Sequence, residues 1–433
     1  MDKMAKKELP REIVKLDRIV GGGQALGKLA DGRKVFVWGG LPGEEVDVQL
    51  TKKKSSYAEG VVINVIKPSA ERIEPRDHDS YLSTSPWQIM MFEAEQSYKA
   101  QLIEEAFELH GIKLQGKATV YSDDVQYEYR NKIEFSFWYD TETEQLSLAF
   151  YRRGTHGKIP VDGTSLANPA INLKATEILA ALNDHKITGR TLKTLLIRCD
   201  QQGSTAWQLY VKDEDFPVDI LRDIMIKDGR GEVIYSNPKS PASVITKRLT
   251  SAGRQLNDKL IDISFQYATE SFFQINLPVY EQALKDIESW IPEDKPVVDL
   301  YSGVGTIGLT IGGEDVTLVE INESAVREMK RNIDALGKKA EAVLAPSEHA
   351  LDYISTDKTI IVDPPRAGLH EDVIGRLLEV TPEKIIYLSC NPVTQARDVA
   401  LLRDKYMIEE CRGYNFFPRT PHIEHLVVLG LQK

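Results

Sequence analysis

The sequence predicts an α/β protein with a parallel sheet in its C-terminal part, a small N-terminal β-barrel and an α+β segment between them. Three observations carry this. From about residue 272, short apolar runs ("PVVDLYS", "DVTLVEI", "TIIVDPP", "KIIYLSC") alternate with helical stretches, as buried parallel strands joined by crossover helices do. Residues 13–19, 34–37, 46–50 and 61–66 are short alternating runs split by glycine-rich turns such as "GGGQALG", as in a small barrel. The chain has 433 residues and 42% hydrophobic content, enough for two or three domains with cores of their own.

The elements follow in order. The barrel is expected over residues 1–68. Residues 1–66 hold 12 Lys/Arg and 9 Asp/Glu, a difference of +3 against −11 for the whole chain. "TKKKSSY" puts Lys52, Lys53, Lys54 and Tyr57 on one connection, suited to gripping phosphate or simply to a solvated turn. Residues 68–86 read as irregular, and 93–109 as an amphipathic helix. The central α+β domain is expected over 69–93 and 126–265, with the helix-bearing 94–125 joining 266–433 in the α/β domain. "HIEHLVVLGLQ" reads as a last strand at the sheet edge.

Net charge excludes a wholesale cationic nucleic-acid binder but not local basic patches. Cys199, Cys390 and Cys411 are too scattered for a disulfide framework or a metal motif, which suits a reducing interior. The N-terminal stretch has no signal-like apolar core and no run approaches membrane-spanning length, so a cytoplasmic protein without membrane contact is expected.

"VVDLYSGVGTIGL" is a strand, a glycine turn and a helix, the Rossmann-like arrangement that holds nucleotide cofactors. Gly303 and Gly305 allow the tight turn. Asp299 ends the strand, where it can face a cationic amino-acid end, and Glu320 ends the next strand, where it can take ribose hydroxyls. "IIVDPPR" adds a rigid exit that aims Asp363 into the crevice. Hydride transfer does not need that element; a methyltransferase holding a flat base against S-adenosylmethionine does. Carbon 5 of a pyrimidine becomes nucleophilic when a thiolate adds to carbon 6, and a base must later take the proton from carbon 5. Cys390 in "YLSCNP" stands at the carboxyl edge of a strand, and Glu424 in "FPRTPHIEHL" just before the last one. Cys199 and Cys411 read as buried small hydrophobes, and His422 and His425 as structural.

Together, "DLYSGVGTIGL", "FFQIN", "VDPPR", "LSCNP" and "FPRTPHIE" resemble the RNA 5-methyluridine (uracil-C5) methyltransferases of the class I S-adenosylmethionine-dependent fold. Residues 41–75 resemble their TRAM domain, an OB-like RNA-binding barrel, while "YRNKIEFSF" and "AFYRRGTH" resemble central-domain motifs. The resemblance implies Cys390 as nucleophile and Glu424 as proton acceptor. It implies Gln274, Tyr301, Glu320 and Asp363, with the turn residues Gly303, Gly305 and Thr306, around the cofactor. It also implies Gln274, Asp363 and Arg130 near the substrate base, and a helix from about residue 94 docked on the catalytic domain.

Many ribosomal RNA members hold a 4Fe–4S cluster on four cysteines. Here His78, Thr84, Trp87 and Thr164 or Ser165 fall near those positions, so no cluster is expected and Trp87 is expected to supply packing instead. A pocket acid near residues 344–347 is not evident. RNA contacts are expected from Lys52, Lys53, Lys54, Arg152, Arg153, Lys158, Lys247 and Arg248, with Phe272 and Phe273 beside a flipped base. The expected partner is RNA, ribosomal rather than transfer RNA, and the expected state a monomer. A transfer RNA uracil-5 enzyme, an RNA cytosine-5 methyltransferase and a non-catalytic assembly factor stay open as alternatives.

Overall fold

The computed structural model describes residues 10–432 apart from His156, Ala242, Ala252 and Arg254. Residues 1–9, part of the expected barrel and of the N-terminal stretch without an apolar core, lie outside the described residues, as does His156 of "AFYRRGTH". No described helix is long and apolar enough to cross a membrane.

Five strands, Arg11–Ile19, Ala25–Lys28, Lys34–Trp38, Glu45–Lys53 and Tyr57–Lys67, close into a barrel. Alternation sends Val14, Leu16, Val35, Val37, Val46, Val48 and Ala58 inward, all fully buried. The barrel is pressed against the rest of the chain at Gly23. A Cβ there would meet Pro421 Cβ at 2.1 Å, and φ is +90°, so only glycine fits. Trp87, 2% exposed, donates from Nε1 to Gly23 O at 2.9 Å, and its backbone N–H donates to Arg419 O at 3.1 Å. Trp87 therefore joins the barrel to the loop that leads into Glu424.

The central domain is a seven-stranded sheet covered by the helix Pro169–Asp184, which buries Ile171, Ala175, Ile178 and Leu182. Asn168 caps that helix by accepting from Ala170 N, and proline takes its first position.

The α/β domain is an eight-stranded sheet in the order Ala340–Leu344, Val316–Glu320, Val297–Leu300, Thr359–Val362, Lys384–Ser389, Glu424–Leu431, Tyr406–Tyr414, Val120–Tyr121. The first five run parallel and Glu424–Leu431 is antiparallel to both its neighbours. Strand order reverses between Val297–Leu300 and Thr359–Val362, which opens a crevice at their carboxyl ends. The helix Phe92–Glu108 packs on this sheet: Lys99 Nζ donates to Asn415 Oδ1 at 2.6 Å and Phe107 meets the His425 ring edge-on. The hairpin Leu256–Leu260/Ile263–Tyr267 buries its apolar side in the same cluster as the α/β core.

Candidate active site and cofactor crevice

The glycine turn is built for close approach. Tyr301 (φ +64°), Gly303 (φ +57°) and Gly305 (φ +87°) all take left-handed conformations. A Cβ on Gly303 would meet nothing within 4 Å, so the backbone there borders open space. Gly308 instead lets helix and strand touch: its Cβ would strike Leu318 Cδ2 at 2.4 Å. Asp299 is fully buried and accepts from Gly308 N at 2.9 Å with Oδ2, while Oδ1 has no hydrogen-bond partner among the described residues. Burial, then the Asp363 and Glu320 charges, push Asp299 up to about 8, against the Gly308 bond that lowers it. Glu320 accepts from Gly303 N at 2.9 Å and Asn322 N at 2.7 Å. Burial raises the Tyr301 hydroxyl, and Ser347, in the stretch where no pocket acid is evident, opposes that rise.

This turn fits S-adenosylmethionine. Gly303 bares the backbone, the free Asp299 oxygen suits an ammonium, and the half-exposed Glu320 carboxylate suits a diol. Thr306, at the start of the next helix, holds the Tyr280 hydroxyl at 2.8 Å. The Asp299 shift also has a stability consequence. A carboxyl whose folded pKa is raised favours the folded state most below its unfolded pKa, and that favour is lost as pH rises from about 4 to about 8. Urea unfolding of Asp299→Asn should accordingly lack a pH-dependent loss, on the order of 5 kcal/mol, that the native chain shows between pH 4.5 and pH 8. Equal losses in both proteins would refute the assignment.

Cys390 follows the strand Lys384–Ser389, and Asn391 and Pro392 at once start the helix Pro392–Leu402. Asn391 Nδ2 and Thr394 Oγ1 both donate to Arg366 O, at 2.9 and 3.1 Å, tying this turn to the Asp-Pro-Pro-Arg exit. The antiparallel register pairs Ser389 with His425. Cys390 and Glu424 are the residues that follow and precede this pair on the two neighbouring chains. The thiol is half-buried and Glu424 only 4% exposed.

Burial, then the Glu424 and Asp363 charges, push the Cys390 thiol up to about 11, opposed by Arg366. Burial and the Asp363 charge hold Glu424 well above the carboxylate range, again opposed by Arg366. Asp363, half-exposed at the crevice mouth, is raised by the surrounding protein. Cys390, Glu424, Asp363 and Arg366 thus act on one another, and the Tyr280 hydroxyl feels Asp363, Asp299 and Glu424.

Arg366 and Tyr280 were not singled out in the sequence. Arg366 stood visible inside "VDPPR"; Tyr280 had no signal beyond its helix. His422 Nδ1 lies 3.2 Å from Arg366 Nη2, and burial, Arg366 and more distant cations including Arg130 and Arg153 lower it to about 4. His425 is wholly buried between Gln395 (2.5 Å) and the Cys411 thiol (3.1 Å), and burial lowers it to about 3, so it stays neutral. Burial pushes Cys199 and Cys411 up to about 12.

The remaining expected residues are spread out. Gln274 is 6% exposed and lies just before the helix Leu277–Glu288 that carries Tyr280. Arg130 is half-buried in the central domain, with Nε donating to Lys132 O at 3.1 Å. Phe272 is 70% exposed, whereas Phe273 is buried and stacked on Tyr267 at 4.1 Å. On the barrel, Lys52 pairs with Glu59 at 2.7 Å, leaving Lys53 and Lys54 exposed. Lys247 pairs with Glu214, and Arg248 with Glu232 and Glu270. Arg153 lies over the Trp38 ring at 4.1 Å, Lys158 donates to Phe137 O, and Arg152 is exposed.

At the positions compared with cluster cysteines the donors do not fit iron–sulfur ligation. Thr164 Oγ1 donates to Asp77 Oδ2 at 3.0 Å, Ser165 N donates to Asp77 Oδ1 at 3.0 Å, and Gln88 Nε2 donates to Asp77 and Ser165. His78 is exposed. A hydrogen-bonded knot around Asp77, beside Trp87, joins the two segments. No group of three or more His, Cys, Asp or Glu among the described residues could hold a metal ion.

Residues 14–63 match the TRAM domain family, and residues 349–432 match the family described as tRNA (Uracil-5-)-methyltransferase. An uncharacterized RNA methyltransferase of Fusobacterium nucleatum is 28% identical, over 95% of this chain and 94% of its own. Another, of Lactobacillus johnsonii, is 29% identical over 92% and 94%. The crystal structure of Pyrococcus abyssi tRNA (uracil-54, C5)-methyltransferase with S-adenosyl-L-homocysteine shares the fold with TM-score 0.76 and 22% identity, over 96% of this chain and all of that one.

Fold, crevice and barrel define an S-adenosylmethionine-dependent RNA methyltransferase. With the C-terminal match added, the chain is similar to the RNA uracil-5 methyltransferases at both its barrel and its last catalytic segment.

Proposed function

We propose that the chain methylates carbon 5 of a uridine in RNA through a covalent bond between Cys390 and carbon 6. The observation that supports this is that Cys390 and Glu424 each lie one residue beyond the Ser389–His425 pair and act on one another, with Asp363 and Arg366 acting on both. Arg366 offsets the cost of forming the thiolate, which adds to carbon 6 and leaves carbon 5 electron-rich. When bound, S-adenosylmethionine supplies an electrophilic methyl group at that carbon. Glu424 then takes the carbon 5 proton, the carbon 5–carbon 6 double bond re-forms, and Cys390 leaves. Burial that raises Glu424 brings it nearer the basicity such a proton transfer needs. RNA containing 5-fluorouridine should form an adduct stable to denaturing gels, because fluorine cannot be removed as a proton. Failure to form it with an otherwise active enzyme would sink the covalent route.

Ribosomal RNA in the cytoplasm is the proposed substrate, and a monomer the working unit. A transfer RNA substrate is a second reading, favoured because the Pyrococcus transfer RNA enzyme aligns over its whole length, barrel included. Mapping 5-methyluridine in both RNA classes, with and without the gene, separates the two.

The barrel is proposed to grip RNA backbone through its lysine connection. Changing Lys52, Lys53 and Lys54 together to alanine should weaken binding and flatten its dependence on log salt by about 1.5 to 2. The reduction is less than three contacts would give because Lys52 is already paired with Glu59. An unchanged slope would remove this connection from the RNA path.

A further inference from the structure

We propose that Asn131 is a positioning residue that sets Gln274 in the crevice from the central domain, an inference that rests on the crevice reading above. Three consecutive backbone carbonyls before the helix Leu277–Glu288 are held from the central domain. Phe273 O accepts from Arg198 Nη2 at 3.4 Å, Gln274 O from Asn131 Nδ2 at 3.0 Å, and Ile275 O from the Asn131 N–H at 3.3 Å. Asn131 is itself fixed, because its own carbonyl accepts from Cys199 N at 2.9 Å at the end of the strand Leu192–Cys199. Its neighbour Arg130 is bound through the backbone to Leu166 and Asn168.

The residue pays a cost that packing alone does not explain. Asn131 is 8% exposed and its Oδ1 is buried without a hydrogen-bond partner among the described residues. An orphaned buried acceptor destabilises the fold, and an apolar side chain of like volume would avoid it. What the carboxamide secures is the bond to Gln274 O. Residues 268–276 form no helix or strand, so no ladder fixes the Gln274 backbone. A long, rotatable side chain is only as well placed as its Cα, and a shift of about 1 Å in a reacting assembly can cost about 100-fold. Asn131 also sits next to Arg130, so the element expected to meet RNA and the element holding the crevice glutamine are one dipeptide.

The test is a double-mutant cycle on kcat for methylation of unmodified ribosomal and transfer RNA transcripts, using the full chain. Gln274→Ala is expected to lower kcat. Asn131→Ala is expected to lower it about 10- to 100-fold, and the double variant to fall no further than Gln274→Ala alone. A general loosening of the fold would instead multiply with the glutamine effect, so independent multiplication overturns the inference, as does full kcat in Asn131→Ala. If Gln274→Ala keeps full kcat, the crevice role of Gln274 falls first and takes this inference with it. Asn131→Asp, nearly isosteric but lacking the donor, runs the same cycle should the alanine variant not fold by circular dichroism.

Discussion

Cys390→Ala should lose methyl transfer by about 10⁴-fold or more, because the proposed addition to carbon 6 runs through this thiol. The other two cysteines cannot substitute: Cys199 is buried in the central core, and the Cys411 thiol is engaged with His425. Folding should survive, since a half-exposed thiol at a strand end leaves little cavity when truncated. S-adenosylmethionine binding should survive too, because the glycine turn belongs to a different strand. Transfer of labelled methyl and gel-stable adduct with 5-fluorouridine RNA should vanish together. Methylation within tenfold of the native rate would remove the thiol from the chemistry.

Glu424→Gln is expected to separate the steps. The neutral amide can sit where the carboxyl sits but cannot accept the carbon 5 proton. Addition and methylation should proceed and elimination stall, so ordinary uridine RNA becomes trapped on the protein while turnover falls about 10³-fold. Stability should move the other way. Burial and Asp363 penalise the ionised Glu424, so the folded state favours its protonated form and that favour is lost as pH rises. The amide carries no such penalty. Its thermal midpoint should exceed that of the native chain at pH 8 and approach it at pH 5. No trapped RNA, with turnover lost, would point to a role for Glu424 before the adduct forms.

The barrel, the glycine turn and the Cys390 turn were legible in the sequence because each rests on local chemistry: period-two alternation, backbone freedom at Gly303 and Gly305, and a strand halted by Asn391 and Pro392. Facts that depend on distant packing were not. Nothing near Glu424 announces that it lies next to the Cys390 turn; that follows from how Glu424–Leu431 pairs with Lys384–Ser389. The Arg366 side chain stood in plain view, in a motif read for its carboxylate alone. Asp299 was read as facing the cofactor, yet one of its oxygens serves Gly308. Basic residues looked alike in the sequence, but Arg248 is held by two glutamates while Lys53 and Lys54 are exposed. Aromatic neighbours divided likewise, Phe272 outward and Phe273 inward.

The contact of Gly23 with Pro421, braced by Trp87, fixes the barrel to the loop that leads into Glu424, the proposed proton acceptor. Such a joint works as a caliper. On the proposed reading, a strand grasped by the barrel offers its uridine to the thiol only if the span between grip and base matches the jaws, and selection of one nucleotide among many then follows from molecular span as well as from letters.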